Sequence, residues 1–582
     1  MAQPMSATAK AVGPSETPLT PLSGMPRSVG RQLALILMGS LAVFAFQVAA
    51  DMGFNDDQVS TITFALPLVI ALVSLAAWGI TAALAPYADP LLVGIATLIS
   101  GFGVVLIRRI SYSYEENAIE PDAGLFAGLG GRQLIYYIGG VVVFGIILAV
   151  MRDHRLLRGY AYILLFAGIG LAALPGFLPR SISEAGGSKN WIRLGPISVQ
   201  PSEFAKLMLL VFFAVYLIRK RDVLQVAGKK FLGIQFPRLK DLGPIVIVWA
   251  ACLGLLVLER DLGTSLLLFS IFLSMLYMAT RRVSWIIIGL SLFIGGCVAI
   301  YPFFSHLQLR VRIWLDPFNP EYRHGDAWQL VQGLIGMNDG GLLGTGPGLG
   351  RPDMVPAAES DFILAIVGEE AGLVGLTALL VLYAIFVQRA MKTAVMSRDR
   401  FGKLLAGGLA FQVAFQVFIV CGGVTGLIPM TGQTTTFLAA GGSSLLGSWT
   451  MLALLVRVSD DARKPWQVSY GLQKTEAPPE FLAEQAARRA AEEAEKAQAA
   501  GVGQTGPVPG GDQPTQMIIS GSPPDGPAGT TASPPTSGPP AYGPPPSPPT
   551  SGPPPSPPTA GRPPARPAGP PQPAPDRKEG ER

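Results

Sequence analysis

The chain of 582 residues is strongly apolar: 49% of its residues are hydrophobic, only 14% are charged, and its formal net charge is +5. Apolar runs of about 18 residues or more recur along most of its length, which excludes a soluble globular protein and indicates a polytopic helical membrane protein. The basic residues mostly flank these runs, so the positive charge does not indicate a nucleic acid partner.

The apolar runs predict an all-α fold of about twelve transmembrane helices. The predicted spans cover residues 32–51, 60–84, 88–107, 132–151, 159–178, 202–218, 243–258, 262–280, 284–304, 361–388, 402–425 and 435–456. Four basic loops then share one face of the membrane, at 152–158, 219–240, 281–282 and 389–403. Because basic loops are typical of the cytoplasmic side and the number of spans is even, we expect a multi-pass protein of the cell membrane with both termini in the cytoplasm.

Composition divides the chain into three regions. We expect a disordered cytoplasmic N-terminus at 1–30, a polytopic membrane domain at 31–458 and a disordered cytoplasmic tail at 459–582. The tail is proline-rich from residue 501 and cannot bury a core; it either docks a partner through PxxP-like segments or is an inert solvated extension. A long extracellular loop at 305–360 is rich in glycine, tryptophan and charge, which favours a functional role over disorder.

Cysteine and histidine usage argues against a metal centre. The cysteines Cys252, Cys297 and Cys421 all lie within apolar runs, which is typical of small buried hydrophobic residues, and no disulfide is predicted. His154 lies in a basic loop, and the other two histidines share the 305–360 loop without the spacing of metal ligands.

An acidic cluster lies at the mouth of the tenth predicted span. Glu359 and Asp361 precede its apolar run, and Glu369 with Glu370 interrupts that run. In one interpretation Ser360 caps a helix and Asp361 complements its positive N-terminus. In the other, Asp361 is a general base at the membrane surface whose pKa is raised by like-charge repulsion from Glu359. We expect Glu369 or Glu370 to face the bundle interior and to pair with a cation.

Three basic residues, Lys206, Arg310 and Arg312, are candidates for binding an anionic substrate. Glu203 and Lys206 are three residues apart on one helix face, where they either form an internal ion pair or leave Lys206 to bind a phosphate. Arg310 and Arg312 lie two residues apart in a segment predicted to be extended, so they should point the same way. Their guanidinium groups suit a phosphate or pyrophosphate, and plain solvation explains them equally well.

Two segments that contain glycine are predicted to be irregular. The ERDLGTS segment at 259–265 predicts a tight turn between two spans, where Arg260 and Asp261 either pair with each other or line a cavity. GGLLGTGPGLG at 340–350 resembles a phosphate-binding loop, but no strand–helix unit surrounds it and no Lys-Ser/Thr follows. We expect instead a flexible loop that lets backbone approach a ligand.

Taken in chain order, these segments resemble the SEDS family of polytopic membrane proteins, the RodA/FtsW group. The matching pieces are GSKNWI, QPSEFAKL, DLGTS, VRIWLDP, WQLVQGLIGMNDGGLLGTGPGLG, VPAAESDFILAIVGEEAGLVG, GLIPMTG and GGSSLL. They lie between Gly187 and Leu446, nearly half of the chain, and SDFILAIVGEEAGL is highly specific. The sequences of GGLLGTGPGLG and VPAAESDF favour the RodA-like branch of this family.

The resemblance implies a peptidoglycan glycosyltransferase. Such a protein polymerises lipid II into β-1,4 glycan strands at the outer face of the cytoplasmic membrane, for cell elongation or division. Its usual partner is a class B penicillin-binding transpeptidase. The resemblance assigns the catalytic residue to Asp361 and marks Trp191, Glu203, Lys206 and Asp261 as functionally important.

The chain departs from the family pattern at several places. Glu259-Arg260 replaces the usual Gln-Pro before Asp-Leu-Gly, and Glu359-Ser360 replaces the usual His-Thr before Asp-Phe-Ile, which makes the field around the base more negative. TFLAA at 436–440 replaces Pro-Phe-Ile-Ser-Tyr and removes a hydroxyl and an aromatic ring. About ten spans are usual for the family, so the twelve predicted here imply two extra spans near the N-terminus.

The expected chemistry is an inverting displacement. Asp361 takes the proton from the 4-hydroxyl of the acceptor sugar, whose oxygen attacks the anomeric carbon of the donor and displaces undecaprenyl pyrophosphate. Lys206, Arg310 or Arg312 holds the pyrophosphate, with or without a divalent cation. Two other classes stay open: a lipid II flippase, which buried charges and broken helices would also suit, and a scaffold that only recruits the transpeptidase.

Overall fold

A computed structural model describes most of the apolar part of the chain. The described residues are 27–54, 59–114, 123–183, 189–194, 197–224, 230–231, 234–235, 242–259, 261–464 and 487. The predictions for the N-terminal segment before residue 27, for Arg260 and for the proline-rich tail concern residues outside this description.

The described residues form helices and two short hairpins. The helices are α1 (Arg27–Phe54), α2 (Thr61–Leu84), α3 (Pro90–Ser113), α4 (Gly128–Val150), α5 (Ala161–Phe177), α6 (Arg180–Ser183), α7 (Ser202–Leu224), α8 (Gly243–Glu259), α9 (Leu262–Thr280), α10 (Ser284–Ile300), α11 (Ser305–Leu315), α12 (Trp328–Gly340), α13 (Ile363–Glu370), α14 (Gly372–Met396), α15 (Arg400–Val424) and α16 (Gly442–Arg463). The strands are β1 (Ile192–Leu194) with β2 (Ile197–Val199), and β3 (Lys230–Phe231) with β4 (Ile234–Gln235), both pairs antiparallel. The predicted all-α membrane fold is confirmed.

Each of the twelve predicted spans contains a helix of the structure. Within the described ranges, nine helical segments are long and apolar enough to cross a membrane. Of the helices in the other three predicted spans, α8 is apolar but only 17 residues long, whereas α7 and α16 carry charged residues near their ends. The helices therefore follow the hydropathy pattern closely, because a helix satisfies its own backbone hydrogen bonds and needs only an apolar surface to lie in lipid.

The prediction of one continuous span at 361–388 is wrong, because α13 and α14 are separate helices. The break falls at Gly372, which has a φ of +67°, and a Cβ there would lie 2.3 Å from the backbone nitrogen of Gly344. The amides of Leu373 and Val374 donate to the carbonyls of Gly341 and Leu342, at 3.0 and 3.1 Å. The glycine-rich segment is thus packed into the gap between the two helices, where only glycine fits.

The 305–360 segment is partly helical, since it contains α11 and α12. The α11 helix has 11 residues and buries only Ile313, so its sequence has too few apolar positions to show a helical period. Tertiary contacts hold it in place: the indole Nε1 of Trp314 donates to the carbonyl of Gly426 at 3.0 Å. This helix forms one wall of the site described below.

The core lies along three spans, α3, α9 and α15. In their most apolar stretches, 78%, 61% and 72% of the residues are buried, against 11% for the segment that contains α10, which therefore faces lipid. The α9 helix begins next to Asp261, and α15 ends at Val424, shortly before the segment at 430–434. Two of the most deeply buried spans, α9 and α15, therefore end or begin close to the polar region between α11 and α13.

Candidate active site

A cavity of about 800 Å³ opens beside the turn that precedes α13. Its walls come from the β1–β2 hairpin, α11, the start of α12, the turn at 357–361 and the segment at 430–434. The charged, polar and aromatic residues that line it include Asn190, Trp191, Arg193, Gln200, His306, Arg310, Trp314, Asp326, Gln329, Ser360, Asp361 and Thr434. The cavity brings together Asp361, Arg310 and Trp191 of the predicted site residues.

Asp361 lies in the turn before α13 and is held by neighbouring polar groups. Its Oδ1 accepts a hydrogen bond from the hydroxyl of Ser360 at 3.0 Å and a longer one from Nε2 of Gln329 at 3.4 Å. The helix-capping interpretation is wrong: α13 begins at Ile363, its N-cap position is Phe362, and the Ser360 hydroxyl bonds to Asp361 and to the carbonyl of Ala357. The Asp361 side chain therefore does not cap α13.

The environment of Asp361, which lies outside the spanning helices, favours a proton acceptor. Burial raises the pKa of its carboxyl, while the Ser360 hydrogen bond and the Arg310 charge lower it, and Glu359 adds a small increase. The predicted direction is thus confirmed, but its main cause is desolvation. Glu359 itself accepts a hydrogen bond from the hydroxyl of Tyr114 at 2.5 Å.

Arg310 is the less exposed of the two arginines, Arg193 and Arg310, that line the cavity. It lies on α11, and its Nη1 donates to the carbonyl of Met430 at 2.8 Å, which ties α11 to the segment after α15. Burial lowers the pKa of its guanidinium, and the carboxylates of Asp261 and Asp361 act in the opposite direction. Because a guanidinium stays protonated in proteins, Arg310 places a fixed positive charge near both aspartates.

Arg312 does not share the face of Arg310. The prediction of a common direction assumed an extended segment, whereas residues 305–315 are helical. Two residues turn an α-helix by about 200°, so the two side chains point to nearly opposite sides. Arg312 is exposed and is not part of the cavity wall.

Trp191 and Asn190 enter the cavity from the segment before β1, and Asp261 holds this segment from behind. The Oδ2 of Asp261 accepts from Nδ2 of Asn190 and from the hydroxyl of Thr264, both at 2.8 Å, and its Oδ1 accepts from the Thr264 amide at 3.0 Å. Asp261 is thus the N-cap of α9. It acts on the cavity through Asn190 and through its charge on Arg310.

Glu203 and Lys206 form the internal ion pair that was one of their two predicted roles. The Nζ of Lys206 donates to Oε1 of Glu203 at 2.8 Å, and the side chains are 0% and 6% exposed. Neither residue lines the cavity. Gln200 does line it, and the backbone amide of Gln200 donates to the Ser443 hydroxyl of α16 at 3.0 Å. A substrate contact of Lys206 stays a prediction.

Comparison with known proteins identifies the family. Residues 89–464 match the FtsW/RodA/SpoVE family, described as cell cycle proteins. The chain belongs to this family. Its N-terminal helices α1 and α2 precede the matched range, in agreement with the two extra spans predicted there.

The relatives of this family member include two named peptidoglycan glycosyltransferase RodA. The RodA of Mycobacterium tuberculosis (strain CDC 1551 / Oshkosh) is 47% identical over 384 residues, which cover 66% of this chain and 80% of that protein. The RodA of Mycobacterium leprae is 46% identical over 382 residues, with the same coverage of 66% of this chain and 80% of that protein. The probable peptidoglycan glycosyltransferase FtsW of Trichlorobacter lovleyi is 31% identical over 380 residues, 64% and 93%. A solved mutant of the rod shape determining protein RodA of Thermus thermophilus is 24% identical, with a TM-score of 0.45 and coverage of 65% and 99%.

In this family member, backbone amides of the glycine-rich segment donate hydrogen bonds to Glu369 and Glu370. The amides of Thr345 and Gly346 donate to the carbonyls of Glu369 and Glu370, at 2.9 and 3.1 Å, and the Gly348 amide donates to Oε2 of Glu370 at 3.1 Å. These amides are therefore not directed at a phosphate. The expected approach of backbone to a ligand is replaced by an approach to α13.

Glu370 pairs with a cation, as predicted. Its Oε1 lies 3.3 Å from Nε of Arg109 on α3, and both side chains are almost fully buried. The Nη2 of Arg109 also donates to the carbonyls of Gly348 and Gly350, at 2.7 and 2.9 Å. One arginine thus joins α3, α13 and the glycine-rich segment.

Several cavity residues were missed by sequence reasoning: Asn190, Arg193, His306, Asp326 and Gln329. Asn190 and Gln329 lie within GSKNWI and WQLVQG, two pieces that carry the family resemblance, and this was the available signal. Arg193, His306 and Asp326 lie in short or irregular segments without a period, so no pattern indicated the direction of their side chains.

One further cluster of ionisable groups lies at the other end of α15. Atoms of His154, Asp399 and Asp461 come within 4.8 Å of one another, close enough to share a metal ion. Arg155 already contacts both carboxylates, at 3.4 and 3.0 Å, and Arg158 contacts Asp399 at 2.5 Å. The arrangement is an ion-pair network that joins the 3₁₀ helix at His154–Tyr160 to the start of α15 and to α16.

Proposed function

We propose that this family member, a peptidoglycan glycosyltransferase, polymerises lipid II with Asp361 as its general base. The observation that carries the proposal is a partly buried carboxylate that shares a cavity of about 800 Å³ with a partly buried guanidinium. A base of raised pKa accepts a proton more readily than an ordinary carboxylate, and a fixed cation stabilises a leaving anion.

The reaction is a single displacement. Asp361 accepts the proton of the acceptor sugar's 4-hydroxyl as the oxygen forms a bond to the anomeric carbon of the donor. The bond from that carbon to the pyrophosphate oxygen breaks, and its electron pair leaves with undecaprenyl pyrophosphate. Attack from the opposite side converts the α-linked donor into a β-1,4 glycosidic bond, so no covalent enzyme intermediate is needed.

Arg310 is the strongest of the three predicted pyrophosphate ligands. It lines the Asp361 cavity and uses one of its five N–H donors on Met430, which leaves others for a phosphate oxygen. Lys206 is fully buried in its ion pair, and Arg312 lies on the far side of α11. The residues carry this assignment without a metal ion, and a divalent cation would add positive charge at the same place.

The cavity belongs on the outer face, beside the lipid II that has crossed the membrane. The basic residues at 152–158 and 389–403 lie at the end of α15 that is remote from the cavity, and basic loops are typical of the cytoplasmic side. The higher identity to RodA than to FtsW favours a role in cell elongation, together with a class B penicillin-binding transpeptidase.

Polymer formation from labelled lipid II tests the proposal. Full-length protein is purified with and without the transpeptidase, and Asp361→Asn is compared with Asp316→Asn, which removes an exposed carboxylate outside the cavity. We expect Asp361→Asn to lose at least about a hundredfold in rate, as loss of a general base does, while Asp316→Asn retains the activity.

The same experiment separates the other two classes. A flippase moves labelled lipid II across vesicle membranes and makes no polymer, and a scaffold binds the transpeptidase without making polymer of its own. Normal polymerisation by a folded Asp361→Asn variant would refute the assignment of the base.

A further inference from the structure

A second cleft, of about 480 Å³, lies at the opposite end of α15 from the Asp361 cavity. It adjoins Arg400, where α15 begins, whereas the cavity includes Met430, which follows the other end of this helix. The 25 residues of α15 span about 38 Å, so the two sites lie near opposite surfaces of the membrane domain. Nothing in the proposed glycosyl transfer uses this cleft.

Four arginines surround the cleft: Arg158, Arg219, Arg398 and Arg400. Among the described residues that line it, Asp399 is the one carboxylate, and its oxygens are already engaged. They accept from the amides of Phe401 and Gly402, from Nε2 of His154 and from Arg158, at 2.5 to 2.9 Å. The cleft therefore has a surplus of positive charge.

Two of these arginines are available to a ligand. Arg219 and Arg400 are exposed, and within the described part of the chain neither has an acidic partner. The guanidinium of Arg219 lies over the ring of Tyr162, 5.7 Å from its centre, which restricts its position without using its N–H donors. The planar guanidinium group of arginine presents several N–H donors side by side, which bind phosphate oxygens well.

The remaining wall of the cleft is apolar. Val215 and Ile218 in the second half of α7 form it together with Phe401, which lies in the first turn of the spanning helix α15. A soluble anion would use only the arginines. A ligand that uses both halves of the cleft carries a negative headgroup on a hydrocarbon chain and approaches from the membrane.

We propose that this cleft binds an anionic phospholipid, with its phosphate on Arg219 and Arg400 and the start of an acyl chain on Val215 and Ile218. The lipid would join α7 to the start of α15 at the surface remote from the Asp361 cavity. This assignment does not depend on the proposed glycosyltransferase mechanism.

Lipid retention by the purified full-length chain tests the proposal. Bound phosphatidylglycerol and phosphatidylcholine are counted by native mass spectrometry for the wild type and for Arg219→Gln/Arg400→Gln. The matched control is Lys392→Gln/Lys403→Gln, which removes two exposed charges of the same surface that do not line the cleft. We expect the arginine variant to bind phosphatidylglycerol about thirtyfold more weakly, as for two basic residues at a charged membrane surface, and the lysine variant to bind as the wild type does.

Three outcomes would overturn the proposal. Equal losses in the two double variants would indicate general attraction to a basic surface, and equal retention of phosphatidylcholine would remove the role of charge. Displacement by glycerol phosphate at the concentration that phosphatidylglycerol requires would indicate a soluble phosphate ester as the ligand. If the double variant does not fold, the single variants Arg219→Gln and Arg400→Gln are each expected to show a smaller loss of the same lipid.

Discussion

At the residue scale, the reactivity of Asp361 results from neighbours that act in opposite directions. Burial and the Glu359 charge favour the protonated carboxyl, whereas the Ser360 hydroxyl and Arg310 favour the carboxylate. The net effect is a raised pKa, so the carboxylate of Asp361 binds a proton more tightly than that of an exposed aspartate does.

Two substitutions should therefore move the pH dependence of polymerisation in opposite directions. The base works only when ionised, so activity falls as the pH drops through its pKa. Ser360→Ala removes a hydrogen bond to the carboxylate and should move the acidic limb of kcat/KM to higher pH. Glu359→Gln removes a negative charge and should move that limb to lower pH; shifts in the same direction would contradict the description of the site.

The buried pair Glu203–Lys206 should contribute mainly to stability. Lys206→Met leaves the Glu203 carboxylate buried without a partner, which should cost about 3–5 kcal/mol of unfolding free energy. The double variant Glu203→Leu/Lys206→Met should regain most of the thermal unfolding temperature, because both charges are then absent. If Lys206 binds substrate, that double variant regains stability but not polymerase activity, so the two measurements separate the two predicted roles.

At the element scale, the glycine-rich segment is a structural partner of α13. It donates amides to Glu369 and Glu370, its Gly344 fits against the break between α13 and α14, and Arg109 fixes it to α3. Since α13 directly follows Asp361, the segment supports the turn that carries the base.

Close packing of this segment against α1 should make Gly348→Ala damaging. A Cβ at Gly348 would lie 2.1 Å from the carbonyl oxygen of Ala50, and its φ is +83°. Gly341→Ala is the matched control, because φ is +51° there and nothing lies within 4 Å of the added carbon. We expect about 1–3 kcal/mol of backbone strain at Gly341 and a clearly larger loss of unfolding free energy at Gly348, measured by thermal unfolding in detergent. Equal losses would mean that the contact with α1 does not matter.

At the scale of the whole molecule, the helices before the family domain are integrated with the site. Phe54 at the end of α1 lies 4.8 Å from the guanidinium of Arg109 and stacks on Tyr112 of α3. The first N-terminal helix, α1, thus reaches the same arginine that holds Glu370. It also packs closely against the glycine-rich segment, since Gly348 lies against the backbone of Ala50.

The orientation of the membrane domain is open to a direct test. In a chain whose native cysteines are replaced by alanine, Asp353→Cys lies near the Asp361 cavity and Lys392→Cys at the opposite surface, and both positions are exposed. An impermeant maleimide should label residue 353 in intact cells and residue 392 only after permeabilisation, because basic loops remain cytoplasmic. The reverse pattern would place the cavity inside and exclude polymerisation at the outer face.

The sequence by itself determined the helical segments, the membrane class and the family. These properties depend on local composition, since a helix in lipid satisfies its own backbone and needs only about 20 apolar residues. It also singled out Asp361, because SDFILAIVGEEAGL is specific to the family.

Only the tertiary structure decided which charged side chains meet Asp361. Arg310 is fixed by a carbonyl 120 residues away, Asn190 by Asp261, and Glu370 by Arg109 of a distant helix. Sequence spacing does not report such contacts. Arg310 and Arg312 were therefore predicted to point the same way, whereas the helical structure of α11 directs them to nearly opposite sides. The break at Gly372 escaped prediction for the same reason: it depends on a packed glycine-rich segment, which hydropathy does not detect.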